Sequence, residues 1–474
     1  MKLKLFISAL LFSFFSNANN LVITNVSYNS ASSEITFDIS WDNSWKTSTG
    51  FNDAVWLFIK GKTSSDVWIH TTIANVSSTI NSTVSFDNLG AYIERSTDGT
   101  GSVSGTITYT ILNVADLGLA PDFKVFGIEM VKINQGSFYV GDGASTNRFH
   151  KGTDNTAPFQ VTTSAEITVS NSSTTDLFTT ASDSSIQLST NIPAQFPTGF
   201  DEFYCMKYEI TQEQYIEFLN TLSRIQQQTR TESDVSGTTI TNRYVMSNTQ
   251  TASDRNGIVT DVNVGTGFLT FYSDLDNTNA ENSINDGHTI AANYLSNNDV
   301  IAYLDWAAMR PMTEIEYEKV CRGPDLPVAN ESAWGTVEFN DAGVITNSGA
   351  PNESTANTSI LPALYKSTPL RVGCYATATS TRVQSGAGYF GNMDLSDYVH
   401  ENGLIAVNDF NVLNFSYDFG DGALDENGDA TNWTTLFKNF RGSSTSSPLG
   451  ISVRYISSVS SNVRDARSGG RGCR

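Results

Sequence analysis

The sequence predicts an α+β chain: an all-β sandwich over residues 20–122, then a mixed domain with much irregular backbone over residues 127–474. Three observations carry this expectation. Short runs that alternate apolar and polar residues recur up to residue 112, the period of strands that bury one face. Two later segments place glutamine or glutamate three residues after a threonine, ahead of an apolar stripe, which marks a capped helix. Between the two regions, residues 117–123 contain Pro121 and read as a linker.

In chain order, residues 1–18 read as an export signal. Lys2 and Lys4 precede a largely apolar run of eleven residues, and Ser16, Asn17 and Ala18 offer small residues for cleavage. The run is short of the roughly 20 residues a spanning helix needs, and no later stretch supplies a transmembrane segment. The mature chain is therefore expected to be exported: periplasmic, cell-surface or extracellular.

The sandwich strands are expected at residues 34–41, 55–60, 67–71, 83–86 and 103–112, with Gly, Asn, Asp and Ser in the breaks. Trp41, Trp45, Trp56 and Trp68 are four of the seven tryptophans. Their rings suit the sandwich core, where they bury large apolar areas; a carbohydrate-stacking platform is the alternative. His70 lies on a strand with no neighbouring ligand pair and reads as structural.

In the second region, helices are expected at residues 211–222, 298–308 and 314–321. Thr211 with Gln214, and Thr313 with Glu316, have the capping-box spacing. Tyr215, Phe218, Leu219 and Leu222 form the first apolar stripe, and Val300, Ile301, Leu304 and Ala307 the second. The second helix should stop before Arg310-Pro311, because the residue before proline disfavours helix.

The formal net charge of −21 disfavours nucleic-acid binding and suits solubility or cationic partners. Cys205, Cys321, Cys374 and Cys473 are all far apart, which excludes CxxC redox and zinc patterns; four cysteines allow three disulfide connectivities. No nucleophile-elbow, P-loop, dinucleotide or HExxH motif is present. An acidic loop holds Asp418, Asp421, Asp425, Asn427 and Asp429. Oxygen ligands alternating at 425, 427 and 429 suggest calcium, but Ala430 and Leu436 stand where an EF-hand requires Gly and Glu, and a solvated turn-rich loop is the competing reading.

Four segments occur in a fixed order: Met130 to Gly141, Tyr208 to Phe218, Arg310 to Gly323, and an ending that runs from Phe440-Arg441-Gly442 to Gly470-Arg471-Gly472-Cys473-Arg474. In this order they resemble the formylglycine-generating enzyme family, the sulfatase-modifying factors, over residues 127–474. The resemblance implies a C-type-lectin-like α+β fold. It also implies a pair of copper-binding cysteines shortly after the arginine-glycine motif. Residues 441–455 contain no cysteine, histidine or methionine, so copper is not expected and no catalytic residue is assigned. Another branch holds iron with three histidines, but His70, His150, His288 and His400 lack a shared-face spacing.

The family's structural calcium would draw on Glu401, with Tyr398 standing in the place of an asparagine ligand and His400 in that of a tryptophan. With Asp421, Asp425, Asn427 and Asp429, Glu401 completes the calcium candidates. The resemblance further implies a Cys321–Cys473 disulfide, and burial of Arg464, Arg467, Arg471 and Arg474 against carboxylates and carbonyls. The function it suggests is an exported, non-catalytic binding or structural module with a protein or glycan partner at the cell surface. An oxidase or other enzyme on the same scaffold, and a carbohydrate-binding protein, are the alternatives.

Overall fold

The computed structural model describes residues 20–80, 82–118, 121–180, 186–341, 343–355, 363–364, 368–377, 379–397, 399–416, 418–442, 450–454 and 463–474. The expected export signal, Tyr398, and residues 443–449 and 455 of the segment after the arginine-glycine motif lie outside them.

The fold is β-rich, with several antiparallel sheets and few helices. One sandwich layer runs β1 (Val22–Asn29), β2 (Glu34–Lys46), β8 (Gly99–Ile111), β5 (Ile73–Ser78). Alternation in β2 turns Ile35, Phe37, Ile39 and Trp41 inward, where they meet Val55, Leu57 and Ile59 of β3 (Asp53–Lys62) and Ile107 and Tyr109 of β8. The second layer contains β3 with β4 (Trp68–His70), β6 (Ser82–Phe86) and β7 (Ala91–Arg95). It does not end there. β9 (Phe123–Ile133) pairs with β3 from Phe123 to Val131, and from Met130 to Ile133 with β14 (Phe203–Met206). The expected linker thus leads directly into a strand, and the boundary expected between residues 122 and 127 lies inside one continuous sheet.

This continuity explains why β3 is buried on both faces. Its outer face, Trp56 and Phe58, shares a core with Phe126 and Ile128 of β9 and with two helices, α1 (Gln212–Leu219) and α3 (Asn297–Trp306). α1 contributes Tyr215, Phe218 and Leu219, and α3 contributes Val300, Leu304 and Trp306. Thr211 caps α1 and Thr313 caps α4 (Glu314–Arg322), each through the expected reciprocal box. Two further boxes start α2 (Arg224–Arg230) at Ser223 and α3 at Ser296. α3 ends at Trp306, before the expected limit, because Ala308 turns to a φ of +56°. Short helices α5 (Arg382–Ser385) and α6 (Asn411–Asn414) follow.

The rest of the second region is built from short ladders. β10 (Phe138–Val140) pairs with β12 (Phe159–Val161), and β11 (Phe149–Lys151) with β13 (Leu177–Thr179). β15 (Ile258–Thr260) pairs with β16 (Phe271–Ser273). β17 (Asn340–Asp341) and β20 (Ala363–Leu364) form a parallel pair, and β18 (Ile345–Thr346) and β19 (Ser354–Thr355) an antiparallel one. β21 (His400–Ile405) is flanked by β22 (Lys438–Arg441) and, in parallel, by β23 (Ser468–Gly469) near the end of the chain.

Candidate functional site

Helix α4 organises the charged interior. Glu314, at its first turn, accepts from Arg441 Nη2 at 2.9 Å, Arg454 Nη2 at 2.8 Å, Asn439 at 3.0 Å and the Val407 N–H at 2.8 Å. Burial pushes its carboxyl up, but Arg454 and then Arg441 outweigh burial and hold it at about 2. Arg310 grips Glu316 with two nitrogens, at 2.8 and 2.7 Å. Glu318 accepts from Arg322, from the Gly141 N–H and from the Ser452 hydroxyl. These residues are all fully buried or nearly so. Arg441 and Arg454, on either side of residues 443–449, both close on Glu314.

The donor set does not fit copper. Residues 441–455 supply hydroxyls, carbonyls and guanidinium groups, whereas Cu(I) requires soft sulfur or imidazole. Among the described residues, the calcium ligands expected around Glu401 do not converge. Glu401 is buried; its Oε1 accepts from Arg471 Nε at 2.5 Å and its Oε2 has no hydrogen-bond partner. The loop candidates turn inward on their own backbone. Asp421 accepts from the Ala423 N–H, and Asp425 from those of Asn427 and Asp429. Asp429 pairs with Arg230 at 2.6 Å. Alternating acceptors in this loop serve Asx turns, which use the same short side chains that a calcium loop uses. Asp421, Asp425, Asn427 and Asp429 are therefore not gathered around a common point with Glu401. Carboxylate oxygens that do converge are those of Asp274, Asp276 and Asp286, within 4.8 Å of one another.

His400 and Glu401 do not form a working pair. They are successive residues of a strand and face opposite ways. His400 packs on Phe440, and burial, then Arg467, lowers its imidazole to about 4.

The expected Cys321–Cys473 disulfide is also corrected. All four cysteines are free thiols, and the residue opposite Cys473 is Cys205. Tyr204 and Arg474 exchange both backbone hydrogen bonds at 2.8 Å, and Met206 N donates to Gly472 O at 3.0 Å. Cys205 and Cys473 therefore occupy a non-hydrogen-bonded position, where side chains of facing strands come closest. Cys321 lies on α4, in another element, and burial pushes its thiol up. The arginine expectation fares better. Arg464 pairs with Asp299 at 2.8 Å, Arg471 with Glu401, and Arg474 with Asp87 while its guanidinium lies 3.8 Å from the Trp56 ring centroid. Arg467 differs, pairing with Asp465 at a more exposed position.

Trp56 is buried and its indole N–H donates to Ala307 O at 3.0 Å, so it offers no face to a sugar. Beside it, the His70 ring receives Lys60, whose ammonium also donates to Trp306 O at 2.7 Å and Gly422 O at 2.5 Å. Burial pulls the Lys60 amine well below the usual lysine range.

An open cleft of about 590 Å³ lies along the seam between the sandwich and α1. Ile23 and Ile128 line it, together with Glu209, Glu213, Glu217, His288 and Arg371. Burial, and next Glu401, push Glu209 well above the carboxylate range. Glu217 is exposed to solvent at the cleft, one helical turn after Glu213. Sequence reasoning did not single out these glutamates, because Glu213 and Glu217 read as the solvent face of α1.

No family model matches the chain, and no curated protein does. Among solved structures, the pilus 2b backbone protein of group B streptococcus is similar at 12% identity, over 34% of this chain and 76% of that one, with a TM-score of 0.11. That score is too low to carry any argument about fold or function.

Proposed function

We propose that this chain is an exported, non-catalytic relative of the sulfatase-modifying factors, a binding module that takes a protein partner bearing lysine or arginine at the acidic cleft. The observation that supports this reading is a division among the carboxylates. Those of Arg310 to Gly323, the segment that carries the resemblance, are consumed in buried pairs with arginine. Glu213 and Glu217 instead stand exposed at the cleft, Glu217 within reach of the Lys124 charge. Structural charge and available charge are thus separated. An acidic cleft steers and orients a cationic segment, with a strong dependence on salt.

Fluorescence anisotropy with a labelled lysine-rich peptide tests the cleft. Binding should weaken with salt, and by at least about tenfold in the double variant Glu213→Gln/Glu217→Gln, since both changes lie on an exposed helix face. Equal affinity of wild type and variant would remove the cleft as the binding site. The oxidase alternative is tested separately, by incubation with a Cys-x-Pro-x-Arg peptide, copper and dioxygen. The expected result is no aldehyde, and aldehyde formation would overturn the non-catalytic reading.

A further inference from the structure

We propose that Asp274, Asp276 and Asp286 form a binding site for one calcium ion, independent of any partner at the cleft. Asp274 and Asp276 directly follow β16, and Asp286 lies further along the irregular segment after it. One oxygen from each lies within 4.8 Å of the others. Two oxygens sharing a calcium at about 2.4 Å can be at most about 4.8 Å apart, so the three lie within the span that a common ion allows. Carboxylates are the hard donors that calcium prefers.

An independent observation distinguishes this cluster from an ordinary acidic turn. Asp286 is fully buried, its Oδ2 accepts from the Ser283 N–H at 2.5 Å, and its Oδ1 is buried with no hydrogen-bond partner. A buried carboxylate oxygen without a donor is unfavourable unless a cation or proton satisfies it. The surroundings supply too little positive charge. Arg243 is the cation at hand, 3.3 Å from Asp274 and 2.8 Å from Glu281. Against it stand Asp274, Asp276, Asp286 and Glu281. Asp274 and Asp276 each spend one oxygen on the Thr278 N–H at 3.1 Å, an arrangement that orients their carboxylates and leaves the second oxygen of exposed Asp276 available.

The full chain, stripped with a chelator and dialysed, is titrated with calcium chloride by calorimetry, and its thermal midpoint is followed with and without calcium. One equivalent should bind, and calcium should raise the midpoint. Asp276→Asn, a surface change that leaves the fold intact, should lower calcium affinity by at least about tenfold. Asp286→Asn should abolish the calcium response while leaving the chelator-treated midpoint equal to or above that of wild type, because it removes a buried charge that lacks a partner. Absence of calcium binding in the wild type overturns the proposal. So does a calcium response that survives undiminished in both variants, which would place the ion elsewhere.

Discussion

Glu314 illustrates how single residues hold this interior together. Two guanidinium groups, one carboxamide and one backbone N–H converge on its carboxylate. Removing it leaves Arg441 and Arg454 buried without their shared counter-ion, which costs about 3–5 kcal/mol. Glu314→Gln should therefore lower the urea midpoint at pH 7. Its folded-state value of about 2 lies below the ordinary glutamate value near 4.3, so the stability it adds is present above about pH 4.3 and is lost as the pH falls toward 2. Denaturant titrations across that window should show the gap between wild type and variant closing on the acid side; a constant gap would mean that the charge is not what stabilises. The cysteines give a second test at this scale. If an oxidant acts after export, Cys205 and Cys473 are the thiols whose facing positions permit a bond within the usual Cα separation of about 4.4–6.8 Å. Peptide mapping without reduction should then link residue 473 to 205, and a 321–473 cross-link would contradict the strand register.

At the scale of elements, the capping boxes carry much of what was readable. Thr211/Gln214 and Thr313/Glu316 start α1 and α4 where the local spacing placed them. Ser223/Gln226 follows the same rule at α2, and that signal was available, but no apolar stripe accompanies it because α2 buries Gln227 and Arg230. Thr313 also donates its hydroxyl to Pro197 O at 3.0 Å, so it ties α4 to a distant loop as well as capping it. Thr313→Ala should cost about 1–2 kcal/mol, toward the upper end for a cap because a tertiary hydrogen bond goes with it, and chemical denaturation would measure the loss. Thr211→Ala removes a cap that lacks this second bond and should cost less.

The molecule as a whole unfolds as its sheet dictates. β9 belongs to the sandwich at one end and pairs with β14 at the other, and Trp56 lies in a core with α1 and α3. Lys60 reaches across to Trp306 and Gly422, and Gly422 adopts a φ of +82° at a point where a Cβ would lie 2.1 Å from His70 Nδ1. With no independent boundary between the two regions, calorimetry should show one cooperative transition. Trp56→Ala should destabilise by about 3–5 kcal/mol and shift that single transition, and removal of residues 464–474 should unfold both regions together, since Arg474 packs on Trp56. Two resolved transitions, with only the second affected by the truncation, would show that the sandwich is autonomous.

The sequence by itself determined what depends on near neighbours: the alternating strands of the sandwich and the capped starts of α1 and α4. Those patterns repeat over a few residues, so local propensity and periodicity suffice to read them. Tertiary structure alone decided which distant residues face one another. It set Cys205 rather than Cys321 opposite Cys473, placed Arg471 against Glu401, merged the sandwich with the second region through β9, and gathered Asp274, Asp276 and Asp286 while the acidic loop at 421–429 turned onto its own backbone. Strand register and long-range charge pairing fix these arrangements, and neither leaves a periodic trace along the chain.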